Sequence, residues 1–168
     1  MTLEEAIKTA IEYEEKVRDV YYEARDTATN DVGKRVFRIL AEEEQGHVDY
    51  LHHKLNELKN TGMASAEDLA TVIPSPQAIA ESVAKLENRL ASEDRGSEIK
   101  MLQKAFKVEV ETGDFYKRMV RELGPEGQNF FSHFLEIEEG HVMLVQAELD
   151  CLTGTGFWFD MREFSLEL

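Results

Sequence analysis

The sequence predicts an all-α fold, a four-helix bundle of two antiparallel helix pairs joined by a long crossover that contains a short helix. Three observations predict it. Four stretches, at about residues 3–28, 32–60, 97–123 and 126–152, carry apolar residues at helical spacing. Two of the connections between them are tight turns and the third is long and proline-bearing, which pairs the first helix with the second and the third with the fourth. The two halves of the chain also repeat one another.

In the first helix Leu3, Ala10, Val17 and Ala24 share one heptad position, and Ile7, Glu14, Tyr21 and Ala28 share the other. Asn30, Asp31 and Gly33 then supply turn and capping chemistry. The second helix places Phe37, Leu40, Leu51, Leu55 and Leu58 on its stripe and stops at "NTGM". Residues 61–77 read as loop, with Pro74 and Pro76 marking a boundary, and "SPQAIAESVAKLENRLAS" reads as the short crossover helix, with Ile79, Val83, Leu86 and Leu90 on one side. The third long helix has the stripe Leu102, Ala105, Glu109, Thr112, Tyr116, Met119 and Leu123. After the turn "GPEGQ", the fourth has Phe131, Phe134, Glu138, His141, Val145 and Leu152. The tail, 153–168, is aromatic, and Phe157, Trp158, Phe159 and Phe164 are expected on an outer face or across a subunit boundary, because exposed they form a patch that monomers rarely display.

A single domain fits 168 residues, and an apolar fraction of 42% supports an ordinary globular core. No apolar run reaches the length of a membrane span, and the acidic start "MTLEEAIKTAIEYEEK" is unlike a secretory signal. One cysteine, Cys151, rules out an internal disulfide and a four-cysteine metal site within this chain, so a reducing, cytoplasmic setting is expected. The formal net charge of −15 disfavours nucleic-acid partners, and no membrane partner is expected.

Some of those acidic residues fall where a core should be. Glu14, Glu44, Glu109 and Glu138 all sit on helix stripes, with His47 and His141 one turn beyond Glu44 and Glu138 on the same faces. The repeat relates them: "AIEYEEKVRDVY" matches "AFKVEVETGDFY", and "EEQGHV" matches "IEEGHV". Glu14 precedes Glu44 by 30 residues and Glu109 precedes Glu138 by 29. Burying an unpaired carboxylate costs several kcal/mol, against a total stability of roughly 5–15 kcal/mol. The stripes offer no lysine or arginine, which leaves divalent metal as the compensation. Four carboxylates balance two divalent cations, and oxygen-rich ligands with two imidazoles suit iron or manganese, while zinc fits the same set. A Glu from each of two helices plus Glu-x-x-His from each of the others is the di-iron carboxylate pattern.

At these residues the chain resembles the ferritin-like superfamily, most closely the stand-alone rubrerythrin-type proteins, over all four long helices. The resemblance implies two iron ions per chain: Glu14 and His47 on one, Glu109 and His141 on the other, with Glu44 and Glu138 as bridges. It implies that Tyr21 and Tyr116 hydrogen-bond ligands from neighbouring helices. Three positions depart from the family. Thr112 stands where rubrerythrin carries an additional glutamate, the four-cysteine rubredoxin domain is missing, and Gln45 stands where bacterioferritin has its haem-binding methionine. Haem is therefore not expected.

The activity implied is that of a non-haem di-iron oxidoreductase, reducing hydrogen peroxide or dioxygen with electrons from an external donor such as a rubredoxin-like protein. Iron oxidation with storage or delivery, and a redox-inert metalloprotein, are the competing readings. A homodimer or larger homo-oligomer is expected.

Overall fold

The computed structural model describes residues 1–64, 69–75, 77–81, 96–156 and 158. Among these the chain is helical without strands, and four long helices dominate: α1 (Leu3–Thr27), α2 (Asp31–Thr61), α3 (Gly96–Glu122) and α4 (Pro125–Thr155).

Local chemistry sets the ends. At α1 the Thr2 hydroxyl accepts from the Glu5 N–H at 3.2 Å while Glu5 accepts from the Thr2 N–H at 2.8 Å, a reciprocal cap. Asn30 opens α2 by accepting from the N–H groups of Val32 and Gly33 at 2.9 and 3.2 Å. Pro125 occupies the first turn of α4, where a missing N–H costs nothing. Gly62 and Gly156 close α2 and α4 in the left-handed region, at φ 80° and 74°. Because that cap comes only at Gly156, α4 continues to Thr155 rather than stopping near 152 as expected.

α1 packs on α2, α3 on α4, and α1 on α3. Side chains also tie the connections to other helices. Glu98 of α3 accepts from the N–H and hydroxyl of Thr29 at 3.2 Å and from the N–H of Asn30 at 3.0 Å, which pins the α1–α2 turn. Glu126 of α4 accepts from the Ala64 N–H at 3.1 Å, just beyond the end of α2. In the crossover, residues 77–81 are helical and Ile79 is buried, whereas Val83, Leu86 and Leu90 lie outside the described residues.

The apolar interior forms two bodies. One gathers Val17, Tyr21, Phe37, Leu40, Leu102 and Val145 with their neighbours. The other is strongly aromatic, with Phe115, Tyr116, Phe130, Phe131 and Phe134 packed beside Ile7 and Leu51. Glu14, Glu44, Glu109 and Glu138 fall between them along their helices, so a polar layer divides the core.

The tail departs from expectation at its one described aromatic. Trp158 is buried in the chain's own core, edge-on to Phe37 with ring centroids 5.2 Å apart. Its indole occupies the space above Gly33, where an added Cβ lies only 2.5 Å from a ring carbon. Phe157, Phe159 and Phe164 lie outside the described residues. Among the described residues no helix is long and apolar enough to cross a membrane.

Candidate metal centre

Each long helix delivers its polar residue to the layer between the two apolar bodies. Glu14 comes from α1, Glu44 and His47 from α2, Glu109 from α3, and Glu138 and His141 from α4. All six are buried, none more than 1% exposed. The three-residue spacing on α2 and α4 turns carboxylate and imidazole to the same side, which is why the repeated Glu-x-x-His pair works as a unit.

The six form two overlapping sets. Glu14, Glu44, His47 and Glu138 each offer a ligand atom within 4.8 Å of the others, as do Glu44, Glu109, Glu138 and His141. Glu44 and Glu138 belong to both sets, the two positions that the resemblance assigns to bridges. His47 Nδ1 lies 3.1 Å from Glu44 Oε2 and 3.3 Å from Glu14 Oε2. On the other side His141 Nδ1 lies 2.7 Å from Glu44 Oε1, 3.7 Å from Glu109 and 3.9 Å from Glu138. The two imidazole rings stack, 5.3 Å apart at 12°.

Tyr21 donates its hydroxyl to Glu109, and Tyr116 donates to Glu14. Each tyrosine comes from the other helix of the α1–α3 pair, so the two bonds are related in the same way as the repeats. Each fixes Oε1 of its carboxylate; Oε2 of Glu14 meets His47, and Oε2 of Glu109 has no hydrogen-bond partner.

The electrostatics describe carboxylates in need of cations. Burial, then the Glu44 carboxylate, raises Glu14 and Glu109 to about 7. Burial, then Glu14 and Glu109, pushes Glu138 well above the carboxylate range. Burial also acts to raise Glu44, but His141 and His47 flank it and hold it well below its ordinary value. Burial opposes charge on the imidazoles, yet Glu44 and Glu14 outweigh it and raise His47 to about 10, while Glu44 and Glu43 raise His141 strongly. Burial and the neighbouring carboxylates raise Tyr21 and Tyr116 well above the usual phenol value, so both remain hydrogen-bond donors.

Those protons do not satisfy the site. Both oxygens of Glu44 and of Glu138, Oε2 of Glu109, Nε2 of His47 and both ring nitrogens of His141 are buried without an aligned hydrogen-bond partner. The 2.7 Å approach of His141 to Glu44 is close, but its geometry is not that of a hydrogen bond. So many orphaned buried atoms in one place need a common partner. Among the described residues no lysine or arginine pairs with any of the four carboxylates. One cation does lie on a stripe, contrary to expectation: Lys54 is buried, but it bonds Glu57 at 2.9 Å and lies over the Tyr50 ring. The donor set fits two divalent ions of the iron, manganese or zinc type.

Other positions resolve as follows. Thr112 turns its hydroxyl to the Val108 carbonyl at 2.9 Å, within its own helix. Gln45 is engaged by Arg18 and Asp49 at the bundle surface. His52 and His53 are exposed.

Glu43 is a residue that sequence reasoning missed, since it is not on the helix stripe that carries Glu44 and His47. Its Oε1 lies 3.5 Å from His141 Nε2, and its carboxylate accepts from the Thr71 hydroxyl and from the Val72 N–H at 3.2 Å. Burial acts to raise Glu43, but His141 and Thr71 outweigh it and hold it below the ordinary carboxylate value. The repeat carried a signal for it: Glu43 aligns with Ile137, an apolar residue, so the matched position is not simply a solvated one. No family model, curated protein or solved structure matches this chain, so the site is described by its own side chains.

Proposed function

We propose that the chain is a non-haem di-iron protein built as a ferritin-like four-helix bundle of the rubrerythrin type, which reduces hydrogen peroxide, or dioxygen, with electrons from an external donor. One observation carries the reading: two overlapping sets of buried ligand groups share Glu44 and Glu138, none of whose four oxygens has an aligned hydrogen-bond partner. Two ions held at bridging distance would account for the sharing and for the missing hydrogen bonds together.

Glu14 and His47 would complete one ion's coordination, and Glu109 and His141 the other's. Bound ferrous iron supplies two electrons, one from each ion, which with two protons convert one peroxide to two waters. The chain's own contribution is positional. Tyr21 and Tyr116 hold Glu109 and Glu14 in place through their hydroxyls, and the aromatic body beneath His47 excludes bulk water, with Phe134 edge-on to that imidazole at 5.9 Å. A cavity of about 310 Å³, lined by Val110, Gly113, Val142 and Met143 with Glu138 in its wall, is wide enough for a small neutral oxidant.

The test is metal content and turnover. Protein purified without added metal, then loaded with ferrous iron, should bind two ions per chain and consume many peroxide molecules per site when a reductant is supplied. Uptake of iron far beyond two ions would favour storage. Two bound ions with no turnover under any reductant would favour a redox-inert metalloprotein.

A further inference from the structure

The two metal-binding histidines present a second edge. Their Nδ1 atoms face the carboxylate cluster, while His141 Nε2 faces Glu43 at 3.5 Å and His47 Nε2 is buried with no partner. Glu43, His47 and His141 can each place a ligand atom within 4.8 Å of the other two. This third set lies on the side of the histidines turned away from Glu109 and Glu138. It borders a cavity of about 530 Å³, lined by Ile39, Glu42, Glu43, Gly46 and His47 and walled by Leu69, Ala70 and Val72 of the crossover.

We propose that Glu43 and the outer edges of His47 and His141 form a capture position for divalent cations on their way to the inner pair, and this rests on the two-metal reading above. Three features argue for it. A cation crossing a protein wall needs anionic or lone-pair oxygen and nitrogen donors along its path, and Glu42 and Glu43 are the carboxylates on this cavity. The cavity beside Glu138, by contrast, offers Lys117 beside its carboxylates. A neutral imidazole has one lone pair, so a ring that holds an ion at Nε2 cannot also hold one at Nδ1. The outer position is therefore a station that empties as the inner one fills, not a third resident site. Glu43 is also where the crossover is fastened, through Thr71 and the Val72 N–H, so the wall of the cavity is held by the same carboxylate that receives the ion.

The experiment is Co²⁺ uptake by metal-free full-length protein, followed by stopped-flow visible absorption, with final content measured by elemental analysis. Glu43→Gln removes the charge; its one amide oxygen accepts from the Val72 N–H, and its NH2 group donates to the Thr71 hydroxyl in place of the second carboxylate oxygen. It should slow uptake about tenfold and weaken the salt dependence of the rate, yet still end at two ions. Glu43→Asp should recover most of the rate. Thr71→Val, which keeps the carboxylate and removes the fastening hydroxyl, should load at least as fast as the unmodified protein. Uptake by Glu43→Gln at the unmodified rate overturns the proposal. So does a final content below two ions in that variant, which makes Glu43 a resident or positioning ligand, and so does equal slowing by Thr71→Val, which makes the fastening responsible. Fewer than two Co²⁺ bound by the unmodified protein overturns the two-metal reading itself, and this proposal with it.

Discussion

Tyr21 and Tyr116 each lend one proton to one carboxylate, which makes them the simplest single-atom test of the site. Removing the hydroxyl in Tyr21→Phe leaves a buried Glu109 oxygen unpartnered, and Tyr116→Phe does the same to Glu14. Each should lower the stability of the metal-free protein by about 1–3 kcal/mol in urea denaturation. Glu138→Gln should act in the opposite sense. It is nearly isosteric and removes the carboxylate most strongly disfavoured by burial and by Glu14 and Glu109, so the metal-free variant should melt higher while retaining fewer than two ions. Glu44→Ala and Glu138→Ala should lose more metal than Glu14→Ala, because only the first two residues belong to both ligand sets; equal losses would reject the assigned roles. At this scale the six cluster residues were legible because a repeat and a 3.6-residue period constrain them twice. Glu43 was not, since one helix position decides whether a carboxylate meets solvent or a histidine on another helix, and periodicity does not resolve the tertiary neighbour.

Among the elements, α2 has the most demanding packing. Gly33, in its first turn, lies under the Trp158 indole, and a methyl there meets the ring at 2.5 Å. Gly33→Ala should therefore cost about 1–3 kcal/mol and shift the tryptophan emission to the red as the indole is displaced. Gly46, in the middle of the same helix, has open space around its Cβ position, and Gly46→Ala should stabilise by up to about 1 kcal/mol through helix propensity. Equal effects of the two changes would mean that Trp158 is not packed as described. The helix positions were readable to within a few residues from capping and periodicity. The home of Trp158 was not: an aromatic run after the last helix has no period, and nothing in the local sequence tells an outer face from a groove left by a glycine more than a hundred residues earlier.

Taken whole, the molecule is a proton store when metal-free. Glu14 and Glu109 hold their protons up to about 7 when folded, against 4.5 for an ordinary glutamate, so between those values the folded state binds more protons than the unfolded chain. Stability contributed by these groups is full below 4.5 and is lost as pH rises through about 7. His47 acts in the same direction, its contribution fading from 6.5 up through about 10. Glu44 acts oppositely, but only below 4.5. The melting temperature of the metal-free protein should thus fall between pH 5 and 8. The metal-loaded protein should not follow it, because metal displaces those protons and is held more tightly as pH rises. Parallel curves in differential scanning calorimetry would show that the carboxylates are not coupled to metal.

The division of the interior into two apolar bodies has a consequence for cooperativity. The four helices run through both bodies, but the layer between them has few hydrogen bonds, from Tyr21, Tyr116 and His47, beside many buried polar atoms without a partner. Without metal each body can melt on its own terms, and the van't Hoff enthalpy should fall short of the calorimetric one. Two ions at the waist, if bound as proposed by residues from several helices, would make the two ends answer to one another, and the enthalpies should then agree.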